Sequence, residues 1–74
     1  MTSYKNLNGN SGVTAYQIQE EGIYVRFQND VTYYYSYAAP GKEHVEKMKE
    51  LAEQGKGLST YISQKVRGNF DHKE

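Results

Sequence analysis

Three strand-like segments, VTAYQIQE (13–20), GIYVRFQ (22–28) and VTYYYSY (31–37), follow one another with almost no chain between them. A parallel crossover needs roughly a dozen residues or more, so connections this short force antiparallel hairpins. The spacing predicts a three-stranded meander. Ile23, Val25 and Phe27 alternate with Tyr24, Arg26 and Gln28, which gives the middle strand one apolar and one polar face. Tyr16 and Ile18 join the apolar face if the loop near Glu20-Glu21-Gly22 has an even number of residues, with Gly22 expected at a positive φ.

The second hairpin decides where the tyrosines of VTYYYSY point. A two-residue Asn29-Asp30 loop would pair Val25 with Tyr34 and set Tyr33, Tyr35 and Tyr37 beside Tyr24 and Arg26 as an outward aromatic platform. A three-residue Gln28-Asn29-Asp30 loop would pair Val25 with Tyr33 and Ile23 with Tyr35, with Asp30 in the left-handed position that Asp tolerates. A one-residue slip reverses a whole face, so agreement of pattern is the arbiter. The three-residue loop collects the apolar residues on one side, and burial of each ring removes about 150–250 Å² from water. On this reading Tyr24 and Tyr34 oppose each other on the outer face, with Arg26 diagonal to both.

In AAPGKEHVEKMKELAEQG the period changes. Val45, Met48, Leu51 and Ala52 fall at helical spacing, Pro40 suits a first turn, and Gly55 suits the position past the end. LSTYISQKVRG predicts a second, shorter helix with Leu58, Tyr61, Ile62 and Val66 as its stripe, Ser59 as N-cap and Gly68 as stop. The expected fold is α+β, βββαα, with both helices on one face of the meander. Residues 1–12 read as a flexible arm, 13–70 as a single domain and 71–74 as a tail.

Two stretches carry a family resemblance. Tyr33-Tyr34-Tyr35 is a Y-x-Y after a hairpin, and KGLSTYISQKVRGNF runs from small residues through an aromatic and an apolar residue to Val-Arg and a final aromatic. Together they resemble the small bacterial KTSC domain, also found at the C-terminus of some lysyl-tRNA synthetases. The likeness spans about residues 13 to 70. The chain departs from the family's pattern at Asp30, where Gly is expected, at Ser63, where Asn is usual, and in a shorter first hairpin. The resemblance implies a small α+β module, free-standing or fused, for which RNA binding has been proposed from its synthetase context. It carries no catalytic or binding residue across.

Composition narrows the function classes. Seventy-four residues make one thinly stabilised domain, and the absence of cysteine removes disulfides and thiolate metal sites. Nine basic residues cancel nine acidic ones, so any nucleic-acid binding must be local. No stretch reaches the roughly 20 apolar residues of a membrane span, and MTSYKNLNGNSG lacks the apolar segment of a signal peptide. A soluble, cytoplasmic protein is expected. His44 and His72 have no metal-ligand spacing, no Ser or Thr has a partnered base, and GKGLS lacks the full P-loop pattern. The expectation is therefore no enzyme, no cofactor and no metal.

What remains is binding. Tyr24 and Tyr34 would stack bases while Arg26 meets phosphate, and Lys65 and Arg67, in a stretch from 55 to 70 without an acidic residue, would contact backbone. Each feature also has a plain structural account: an ordinary cross-strand aromatic pair, and cations favoured near a helix C-terminus. The expected partner is RNA or single-stranded nucleic acid; the alternative is a protein partner or a second copy of the chain, since Tyr and Arg are enriched at such contacts.

Overall fold

The computed structural model describes residues 1–7, 9 and 11–74. Its sheet has five antiparallel strands in chain order: β1 (Thr2–Ser3), β2 (Val13–Gln19), β3 (Gly22–Phe27), β4 (Thr32–Ser36) and β5 (His72–Lys73). Helix α1 (Lys42–Gln54) and helix α2 (Leu58–Tyr61), which runs on into a wider π-type turn over Ile62–Val66, cover one face. The fold is α+β with an antiparallel sheet and two helices. The central meander is as expected, but the sheet is five strands wide rather than three, because both chain ends add a short edge strand.

The hairpin after β3 takes the three-residue loop. Val25 pairs with Tyr33, Ile23 with Tyr35 and Tyr24 with Tyr34. The Phe27 amide donates to the Val31 carbonyl at 3.0 Å, and Asp30 sits in the left-handed region at φ 64°. The Asn29 side chain closes the loop by accepting from the Val31 amide at 3.2 Å. Tyr35 is accordingly buried, at 2% exposure, between Ile23 and the helices.

The first hairpin is tighter, with Gln19 opposite Gly22 across Glu20-Glu21. Here the expectation for Gly22 needs correction, since its backbone is not left-handed. Glycine is required for space instead. A Cβ at residue 22 would run into the hydroxyl end of the Tyr34 ring, which lies diagonally across it. A bulge between Val13 and Ala15 then lets Val13 keep to the buried face opposite Phe27.

Ile23, Val25 and Tyr35 from the sheet meet Val45, Met48 and Ala52 from α1 and Leu58, Ile62 and Val66 from the second helical segment. Gly55 closes α1 in the left-handed conformation, its amide shared between the Leu51 and Ala52 carbonyls. Pro40 lies before the Gly41 cap rather than inside the first turn. Gly57, not Ser59, precedes the first residue of α2, and the Leu58 amide donates to the Tyr4 hydroxyl at 3.3 Å. Of the arm expected over 1–12, Thr2–Ser3 pairs with Tyr16 and Ala15, and Tyr4 belongs to the core at 6% exposure. Positions 8 and 10 lie outside the described residues. The tail expected over 71–74 supplies β5, paired with Tyr33 and Tyr34. Among the described residues no helix is long and apolar enough to cross a membrane.

Candidate functional site

The face of the sheet away from the helices carries one continuous row. Gln17 pairs with Tyr24, Tyr24 with Tyr34, and Tyr34 with His72, so four strands each contribute one outward side chain at the same level. The Tyr24 and Tyr34 ring centroids are 4.5 Å apart at an interplanar angle of 36°, and the His72 ring follows at 5.3 Å from Tyr34. Gly22 provides the seat for the far end of Tyr34. Burial, and then the nearby Tyr24, Asp71 and Glu21, raise the Tyr34 phenol above its ordinary pKa, so it stays neutral well beyond physiological pH.

Arg26 stands on the same face, next to this row and opposite Thr32. It is exposed, and among the described residues neither it nor Lys65 nor Arg67 forms an ion pair. Acidic groups border the row at its other side. The Asp71 carboxylate accepts from the Ser36 hydroxyl at 2.8 Å and lies 2.9 Å from the His72 ring nitrogen. These two hydrogen bonds hold its carboxyl below the usual range. Beside Tyr24, a shallow cavity of about 310 Å³ is lined by Met1, Gln17, Gln19 and Glu74.

Lys65 and Arg67 do not join that face. Lys65 lies within the π-type turn and Arg67 caps it, on the helical side of the sheet. Arg67 lines a second cavity, also about 310 Å³, together with Phe27, Tyr33 and Phe70. The five residues singled out in the sequence thus fall into two sets: Tyr24, Arg26 and Tyr34 on the outer face, Lys65 and Arg67 behind it.

Sequence reasoning missed His72, whose short polar segment has no strand pattern, and the steric role of Gly22. It also missed the cleft, because Phe27 and Tyr33 read as core; Phe70, an aromatic just past the Gly68 stop, was the available signal. His44 is half-buried, with its Nδ1 2.7 Å from the Tyr61 hydroxyl. Among the described residues, no three His, Cys, Asp or Glu side chains come together as a metal site would require. No family model, curated protein or solved structure matches the chain.

Proposed function

We propose that the chain is a cytoplasmic, non-catalytic KTSC-like module that binds RNA or another single-stranded nucleic acid. The observation that carries this reading is the Tyr24–Tyr34–His72 row, with Arg26 beside it in no ion pair among the described residues. Stacking on aromatic side chains is tolerant of base identity and contributes about 1–3 kcal/mol per base, while a neighbouring cation tracks the backbone. Lys65 and Arg67 supply further phosphate contacts from the helical side. The Y-x-Y and the KGLSTYISQKVRGNF stretch, which resemble KTSC domains, support the same reading. Because the chain has no net charge, affinity is modest and falls with salt.

Fluorescence anisotropy with short single-stranded RNA at low salt tests this. Binding near micromolar levels is expected, weakened about tenfold by Tyr24→Ala and by Arg26→Gln with a shallower salt slope. Binding indifferent to both substitutions would remove the outer face from the interaction. A second reading, a protein partner on this face, draws on the mixed charge around the row, where Asp71, Glu21 and Glu74 outnumber Arg26. Absence of RNA binding, together with concentration-dependent association in sedimentation, would favour it.

A further inference from the structure

The cavity behind the sheet has the make-up of a site. Phe27, Tyr33 and Phe70 wall it with aromatic rings that are only half-buried. Both Phe27 and Phe70 meet Tyr33 edge-on, at 5.5 Å and 85° and at 4.8 Å and 90°. Perpendicular rings in contact with one another present both faces and edges to the cavity they line, a wall suited to a planar guest. Tyr35, Ile62 and Gly68 line it further, and Asn29, Ser63 and Arg67 are its polar lining residues. A volume of about 310 Å³ falls at the small end of ligand pockets, large enough for one heterocyclic base and too small for a stack of them.

The charge around this slot selects the guest further. Arg67 is exposed and without an ion pair among the described residues, and Lys65 lies two residues earlier in the same turn. No acidic residue occurs from Gly55 to Phe70. A purely apolar guest would leave that cation unused, and a cationic guest would be repelled. The turn itself is π-type, a geometry that costs the regular helical bond pattern and recurs at functional sites.

We propose that this cleft takes the base of one unstacked nucleotide, with that nucleotide's phosphate on Arg67. The choice of occupant rests on the single-strand reading above and adds a second contact to it: the outer row stacks the strand, and the cleft captures one base from it. Asn29, whose oxygen accepts from the Val31 amide and whose amide nitrogen has no partner among the described residues, lines the cavity and is placed to meet a base carbonyl. Recognition of splayed-out bases by stacking and edge hydrogen bonds is the common mode for single-stranded RNA.

NMR titration of the full chain with uridine monophosphate, adenosine monophosphate, the corresponding nucleosides and a short single-stranded RNA tests the proposal. The expected result is movement of the Tyr33 and Phe70 ring resonances, with nucleotides bound about tenfold more tightly than nucleosides. Arg67→Gln, at an exposed position, should leave the melting temperature unchanged and abolish that preference. Ser63→Trp, which fills the slot from its rim, should remove binding there. If RNA binds while the Tyr33 and Phe70 resonances stay still, the cleft assignment falls and the single-strand reading stands. If mononucleotides bind in the slot and RNA does not bind at all, the single-strand reading falls and the slot remains a nucleotide site. Equal affinity for nucleotide and nucleoside overturns the role of Arg67, and preference for N-acetyl-tryptophanamide over every nucleotide overturns the proposal in favour of a protein partner.

Discussion

Gly22→Ala is the substitution whose outcome depends most directly on the geometry of the outer face. The backbone at residue 22 is not in the left-handed region, so alanine costs nothing in φ. On conformational grounds alone it should stabilise a strand position by about 0.5 kcal/mol, through a less free unfolded chain. The structure predicts the opposite sign. The new Cβ would overlap the Tyr34 hydroxyl, Cζ and Cε1, the far end of a side chain that is free to swing. The backbone therefore holds, and the loss is confined to what Tyr34 gives up. Its ring leaves Tyr24 at 4.5 Å and His72 at 5.3 Å. With the two aromatic pairs contributing about 0.5–1.5 kcal/mol each, displacement costs roughly 1–3 kcal/mol. Net destabilisation of roughly 0.5–2.5 kcal/mol is expected, each 1 kcal/mol lowering Tm by about 4–8 °C for a domain of this size. A double-mutant cycle isolates the mechanism: in a Tyr34→Ala background the same Gly22→Ala change should stabilise by about 0.5 kcal/mol. Thermal or urea unfolding followed by circular dichroism reads both. Gly22→Ala with the same sign in the two backgrounds would refute the seating of Tyr34 on this glycine.

Tyr4→Phe removes the acceptor of the Leu58 amide at the start of α2 and should lower stability by about 1–2 kcal/mol, measurable as a shift in urea midpoint without a change in m-value. Two phenols make the fold sensitive to high pH. Burial, then its neighbour Tyr33, push Tyr35 up to about 12, and the hydrogen bond from Tyr37 to Glu46 pushes Tyr37 up to about 12. Because the folded values exceed the ordinary value near 10, the stability they carry is complete below about pH 10 and is lost as pH rises from there towards 12. Phenolate absorbance against pH should show two groups titrating near 12, and Tyr37→Phe should remove one of them.

The register of the β3–β4 hairpin was legible because one pattern satisfies every residue at once. Ile23, Val25, Tyr33 and Tyr35 share the buried face only with a three-residue loop, and Asp30 is a residue type that tolerates the φ such a loop needs. The stop at Gly55 was legible for the same reason, since local chemistry and helical period agree there. The edge strands were not. Thr2–Ser3 and His72–Lys73 carry no alternation of their own; they are strands because β2 and β4 offer unpaired backbone groups at an edge, a cause that lies in the partner. The start of α2 was misplaced on Ser59 because a side-chain cap is visible in sequence, whereas a tyrosine hydroxyl from 54 residues away is not. The division of the candidate residues follows from the same limit. Helical pattern assigns Lys65 and Arg67 to a helix, but only packing of Ile62 and Val66 against the sheet puts that helix behind Tyr24 and Tyr34.

Both surfaces are finished by one run of residues. Phe70 walls the cleft, the Asp71 amide donates to the Tyr34 carbonyl at 2.8 Å, His72 extends the outer row, and the Glu74 amide donates to Thr32 at 2.8 Å. The chain thus crosses from the helical side to the outer side within three residues, held by backbone bonds at a sheet edge and by the half-buried Asp71–Ser36 contact. Such bonds, with few buried apolar neighbours, belong to the low end of local opening free energies. Tyr24, Tyr34, Phe27 and Tyr33 are fixed instead by the register of two long central strands with Ile23 and Val25 at no exposure. Opening of the C-terminal segment would therefore strip one ring from each surface together, Phe70 and His72, while leaving the other rings in place. A ligand that needs either ring must hold this segment closed, and hydrogen exchange at the Asp71 and Glu74 amides reports that closure whichever face is occupied.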